Sequence, residues 1–161
     1  MSETQIGFST TDKFLSKVIR WITRSKVSHT WLLYYDDDFD CDMVMEATIE
    51  GFRLIPFNAF KEKNVAIELF TPKYSLAAGF KMAGKKLGTK YDVKGLFGAV
   101  VPIIGKWFSR KWHNPFRSKK ALFCSEAMVG IMKDSNYPGW DLLEPEDINP
   151  QGLCDFFAAE K

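Results

Sequence analysis

The apolar positions of the chain change period several times, and each change marks an element. Gln5 to Phe8 is a short apolar stretch that reads as an edge strand. Ser9-Thr10-Thr11-Asp12 matches a capping box, with Ser9 as N-cap and Asp12 three residues on. In the helix this box would open, Phe14, Leu15, Val18, Ile19 and Ile22 share one face, and Lys13, Lys17, Arg20 and Arg24 the other. Ser28 to Tyr35 is aromatic-rich and reads as a strand, followed by a polar turn at Asp36-Asp37-Asp38. Met43 to Ile49 is a further strand, and Glu50-Gly51 turns it tightly into another at Phe52 to Ile55. Val65 to Phe70 reads as the last strand. Ser75 can cap a helix that runs to about Leu87 and stops at Gly88. Gly95 to Ser118 follows no clear period. From Leu122 the pattern is helical again, through Cys124, Ala127, Met128 and Ile131. Asn136-Tyr137-Pro138-Gly139 reads as a turn, and the remainder as a loop and a short tail.

Helical and strand patterns do not alternate, so an α+β fold is expected rather than a doubly wound parallel sheet. No repeat, low-complexity segment or Ser/Gly-rich linker divides the chain, and 161 residues suit a single domain over residues 1–161. With 46% hydrophobic and 15% aromatic residues, a core can form without disulfides or a structural metal. A formal charge of +2 neither demands nucleic acid nor excludes it. The three cysteines, Cys41, Cys124 and Cys154, are an odd number without metal-ligand spacing, which argues against a disulfide framework and for a reducing compartment. With only His29 and His113 besides, no metal site is expected. The N-terminus has no secretory pattern. The most apolar stretch, Gly95 to Ile104, is broken by Pro102 and falls short of the roughly 20 apolar residues a spanning helix needs. A soluble protein of the cytoplasm, or of the host-cell cytoplasm if the chain is viral, is the expectation.

Candidate chemistry centres on Cys124, in Phe123-Cys124-Ser125-Glu126 at the expected start of a helix. The free N–H groups and partial positive charge of a helix N-terminus favour a thiolate, as does a nearby histidine. Taken alone, Cys124 reads more simply as a buried core residue. So does His29, as a histidine hydrogen-bonded to backbone. A nucleophilic cysteine needs a base, however, and a rigid strand holds His29 better than the basic-aromatic loop holds His113. Glu46 lies inside an apolar strand. It either accepts a hydrogen bond from the imidazole of an adjacent strand or points to solvent, and the residues alone leave both open.

Leu87-Gly88-Thr89-Lys90-Tyr91-Asp92, followed later by Phe123-Cys124-Ser125, resembles the signature of NlpC-type, papain-like cysteine peptidases, in which a Gly-x-x-Tyr element precedes a Cys-Ser at a helix start. In ordinary members the histidine follows the cysteine. Here no histidine follows Cys124, and Ser28-His29-Thr30 precedes it. That order resembles the circularly permuted branch, which includes the YiiX-like hydrolases and, more distantly, the LRAT-like acyltransferases. Ser28-His29, Glu46-Ala47, Gly51, Tyr91-Asp92 and Cys124-Ser125-Glu126 occur in the order of the YiiX-like group, across about Ile6 to Pro150. Phe123 departs from the Asp of ordinary members, and Gly95 to Ser118 looks like a local elaboration.

The resemblance implies a circularly permuted papain-like fold, with an antiparallel sheet or partial barrel packed against helices. It implies a triad of Cys124, His29 and Glu46. It also implies that Tyr91 and Ser125 lie near the nucleophile, where they orient substrate or help hold an oxyanion. The expected activity is that of an amidase or peptidase working through a thioacyl-enzyme, without metal or organic cofactor, on a peptide or amide substrate, with a cell-wall-type peptide as one candidate. An alternative is an LRAT-like acyltransferase or lipid esterase at a membrane surface, with Phe14 to Arg24 and Gly95 to Phe108 as the contact. Membrane contact is the less favoured reading. A non-enzymatic alternative is a binding module built on Trp107, Arg110, Lys111, Trp112, Arg117, Lys119 and Lys120, whose aromatic-basic mixture suits single-stranded nucleic acid. No obligate nucleic-acid partner is expected, and the oligomeric state is left open.

Overall fold

Five strands, three of them buried almost end to end, pair into one antiparallel sheet: β1 (Gln5–Thr10), β2 (His29–Asp36), β3 (Cys41–Thr48), β4 (Gly51–Pro56) and β5 (Val65–Phe70). The computed structural model describes residues 4–23, 25–48, 51–89, 124–143 and 149–160. The strand order is β4-β3-β2-β1-β5, and every neighbouring pair is antiparallel. Among the described residues the helices are α1 (Phe14–Thr23), α2 (Phe57–Lys61), α3 (Ala77–Gly84), α4 (Cys124–Asp134) and α5 (Pro150–Ala159), with a 3₁₀ turn at Trp140–Leu142. The architecture is α+β, and the sheet is open rather than closed into a barrel.

Side chains alternate across the strands, so each strand feeds two layers. On one face Ile6, Phe8, Leu32, Met45 and Phe52 meet Met128 and Met132 of α4 and Leu153 and Phe157 of α5. On the other face Trp31, Leu33 and Val44 pack with Phe60 of α2. Burial on both faces explains why β2 reads as a continuous apolar run instead of an alternating one. Two glycines permit close approaches. A Cβ on Gly7 would lie 2.4 Å from the Trp31 indole, and one on Gly79 would lie 2.0 Å from the carbonyl oxygen of Ile131, where α3 crosses α4.

Several expectations are corrected. β1 is internal, because β5 returns to pair on its far side. The capping box fails for the same reason. Ser9 stays in β1, opposite His29 on one side and Ala66 on the other. Backbone pairing on both sides outweighs one local cap. The chain leaves the strand later, with Thr11 Oγ1 accepting from the Lys13 N–H and Ser16 Oγ from the Thr11 N–H. Phe14, expected to face the core, is 80% exposed. The helix after Ser75 ends at Gly84 and continues as successive turns to Gly88, whose φ is +79°. The segment read as a tail forms α5. Asn149 caps it by accepting from the N–H groups of Gln151 and Gly152, and Pro150 takes the first turn, where its missing N–H costs nothing. Among the described residues no helix is long and apolar enough to cross a membrane.

Candidate functional site

The site forms where two central strands part. β2 and β3 pair from Asp36–Cys41 to Trp31–Glu46. Both strands continue further, but each then pairs only with its outer neighbour. His29 and Thr30 stay on Ser9 and Phe8 of β1, while Ala47 and Thr48 stay on Phe52 and Gly51 of β4. The opening leaves the inner edge of β2 unclaimed by β3. The first residue of α4, Cys124, presents its sulfur there. The sulfur meets the His29 side chain and accepts from the backbone N–H groups of Thr30 and Ser125.

His29 and Glu46 are diagonal neighbours across the last β2–β3 pair, within reach of long side chains. Nε2 of His29 lies 2.6 Å from Oε2 of Glu46. With Nε2 engaged, Nδ1 is the ring nitrogen left for Cys124. Arg53 sits directly opposite Glu46 on β4 and donates from Nε and Nη2 to Oε1, at 2.9 and 2.8 Å. Each carboxylate oxygen therefore has its own partner. Ser28, just before His29, is also tied down. Its Oγ is 2.6 Å from Ser16 Oγ, which is 3.2 Å from Thr10 Oγ1, so buried hydroxyls link α1 to the start of β2.

The electrostatics follow from this geometry. Burial opposes a charged His29, but hydrogen bonds to Cys124 and Glu46, and their charges, outweigh it and raise its pKa to about 10. Burial likewise opposes a Cys124 thiolate. The hydrogen bond and charge of His29, with the two backbone N–H groups, overcome it and hold the thiol below its ordinary value. Glu46, 2% exposed, would be pushed up by burial, yet His29 and Arg53 hold it below the usual carboxylate value. The arrangement can sustain a thiolate–imidazolium pair backed by a buried carboxylate.

Cys124, His29 and Glu46 are thus brought together from α4, β2 and β3. Ser125 is buried beside Cys124 and turns its N–H to the sulfur. Tyr91, His113 and the Gly95 to Ser118 segment lie outside the described residues. Arg53 and the Thr30 N–H were not anticipated. Arg53 had a signal, because a two-residue connection between Thr48 and Gly51 sets residue 46 opposite residue 53. The Thr30 N–H had none, being exposed to the sulfur only by the parting of two strands. Cys154 is buried in α5, and Cys41 lies at the far end of β3.

No protein-family model matches the chain, and no curated protein does. A solved structure described as the metalloprotein yiiX from Escherichia coli O157:H7 is similar, with a TM-score of 0.54 and 20% identity. The match covers 84% of this chain and 66% of that one, just under two thirds of its length. Among the described residues here, no three His, Cys, Asp or Glu side chains stand together as metal ligands. The likeness is one of fold, and it places the chain with the YiiX-like architecture.

Proposed function

We propose that the chain is a cysteine hydrolase of permuted papain-like type, acting on an amide bond through Cys124, His29 and Glu46. One observation carries the reading: the His29 ring is held between a cysteine at a helix N-terminus and a buried carboxylate. The Cys124 thiolate attacks the amide carbonyl, forming a C–S bond and a tetrahedral oxyanion. Backbone N–H groups at the start of α4 receive the negative oxygen: that of Cys124, joined by that of Ser125 once the bonded sulfur has lost its charge. His29 passes its proton to the leaving nitrogen as the C–N bond breaks, giving a thioester and a free amine. Neutral His29 then takes a proton from water, whose oxygen attacks the thioester; the C–S bond breaks, a carboxylic acid leaves, and the Cys124 thiolate and His29 imidazolium are restored. Tyr91 is carried as a second oxyanion or substrate contact by the family resemblance alone. A peptide amide, with a cell-wall-type peptide among the candidates, is the proposed substrate class.

Intact mass spectrometry after exposure to an activated ester and to a peptide-amide library tests this. A single acyl adduct on Cys124 is expected, and none on the Cys124→Ser variant. Acylation elsewhere, or equal acylation of both chains, would overturn the reading.

A second reading, acyl transfer at a lipid surface, is favoured by one observation. α1 turns Phe14 and Trp21 outward, 80% and 79% exposed, beside exposed Lys13 and Lys17. Sedimentation with vesicles containing anionic lipid should then carry the protein down, and loss of that binding in Phe14→Ser/Trp21→Ser would attribute it to this face. Vesicles that leave the native chain in solution would remove the reading.

A further inference from the structure

Glu46 faces a difficulty that the proposed reaction creates. His29 is cationic beside the Cys124 thiolate, but neutral once its proton has left with the amine. A carboxylate buried as deeply as Glu46 takes up a proton when no cation faces it. A protonated Glu46 would donate to Nε2 of His29. The ring proton would then sit on Nδ1, toward Cys124, and no lone pair would remain there to accept a proton from water.

We propose that Arg53 is a positioning residue that keeps Glu46 ionised, and its Oε2 turned to His29, while His29 is neutral. The inference rests on the cysteine-hydrolase reading and deepens it. Arg53 Nε and Nη2 both donate to Oε1, at 2.9 and 2.8 Å, while Oε2 faces the imidazole at 2.6 Å. A guanidinium does not lose its proton in a protein, so its charge persists through every step. Its backbone is fixed by direct pairing, Glu46 with Arg53, in the β3–β4 hairpin. Among the described residues the ionisable groups meeting Glu46 are His29 from β2 and Arg53 from β4. From α4, Cys124 meets the other side of His29. With Glu46 anionic, neutral His29 keeps its proton on Nε2 and offers Nδ1 as the base.

The test reads the tautomer directly, by NMR of isotope-labelled histidine in the full chain. It is done in a Cys124→Ser background, where His29 titrates without a thiolate, and His113→Gln assigns the signals. Neutral His29 is expected in the Nε2–H form. Arg53→Met should convert most of it to the Nδ1–H form, Arg53→Lys should largely restore Nε2–H, and Arg53→Met should have no further effect once Glu46→Gln is present. An unchanged tautomer in Arg53→Met would overturn the inference, as would an equal change in the Glu46→Gln background. Arg53→Lys and the double variant keep the test informative if Arg53→Met folds poorly. Acylation of Cys124 in the wild-type chain is measured separately, so loss of the hydrolase reading and loss of the Arg53 role give different results.

Discussion

The two ends of the β2–β3 pair carry the same kinds of residue and do opposite things with them. At the turn end, Asp36 Oδ1 accepts from the N–H groups of Asp38 and Phe39, Tyr34 donates to Asp36, and Tyr35 donates to Asp40. These carboxylates stay close to water, and their work is to close a hairpin. Cys41 is half-buried there, with Met43 Sδ 3.6 Å from its sulfur and acidic neighbours at Asp40 and Asp42. At the other end the ladder opens, and Cys124, His29 and Glu46 are packed into the gap with one another as partners. A cysteine and a carboxylate become a charged pair with histidine only where burial removes water and backbone N–H groups take its place. Opening the ladder supplies both conditions, since it frees the Thr30 N–H and admits a helix start.

Removing the proposed nucleophile tests the contrast most severely. Cys124→Ala should lower turnover of an activated ester by about 10⁴-fold or more, while Cys41→Ala should leave the rate within experimental error. Labelling gives the same contrast without substrate. At about pH 6, iodoacetamide should modify Cys124 well before Cys41 or Cys154, as peptide mapping would show. First labelling at Cys41 would erase the distinction between the two ends.

His29→Ala should come next, with a loss of roughly 10³-fold and disappearance of the low-pH thiol reactivity. The alkylation rate would then rise only as the thiol approaches its ordinary pKa of about 8.5. Persistence of low-pH reactivity would show that the N–H groups of Thr30 and Ser125 suffice without the ring.

Glu46→Gln keeps the shape and removes the charge. Turnover should fall by about 10²-fold, less than for either partner, because the proposed nucleophile and base remain. Full activity would leave a Cys124–His29 dyad. Urea unfolding should register a cost of about 2 kcal/mol, since hydrogen bonds from His29 and Arg53 lose their charged acceptor.

The smallest expected effect is in acid. Glu46 has a lowered pKa in the folded chain, so its stabilisation is present above the unfolded carboxylate value of about 4.3 and is lost as pH falls through the folded value. Stability of the wild type should therefore decline more steeply than that of Glu46→Gln below about pH 4. Parallel declines in urea midpoint would mean that Glu46 titrates alike in the folded and unfolded chain.

Much of this was legible where one residue's chemistry sufficed. The strands at 28–35, 52–55 and 65–70 followed from apolar and aromatic runs bounded by turn residues, and the start of α4 from the apolar pattern around Cys124. α5 was missed and read as a tail, although the Asn149-Pro150 pair carried a signal, since its capping side chain and missing N–H both favour a helix start. Ser9 misled because its capping chemistry is local, whereas its place in β1 depends on β5, which follows about 55 residues later. The sequence by itself determined the α+β class, the reactive residue types and their order along the chain, since those depend on side chains and short-range patterns. Tertiary structure alone decided that β2 and β3 separate beyond Trp31 and Glu46, that α4 begins in that gap, and that Glu46 divides its two oxygens between His29 and Arg53. Each of these depends on long-range pairing, which sets a cysteine, a histidine and a carboxylate so close that their hydrogen bonds and charges outweigh the cost of burying them.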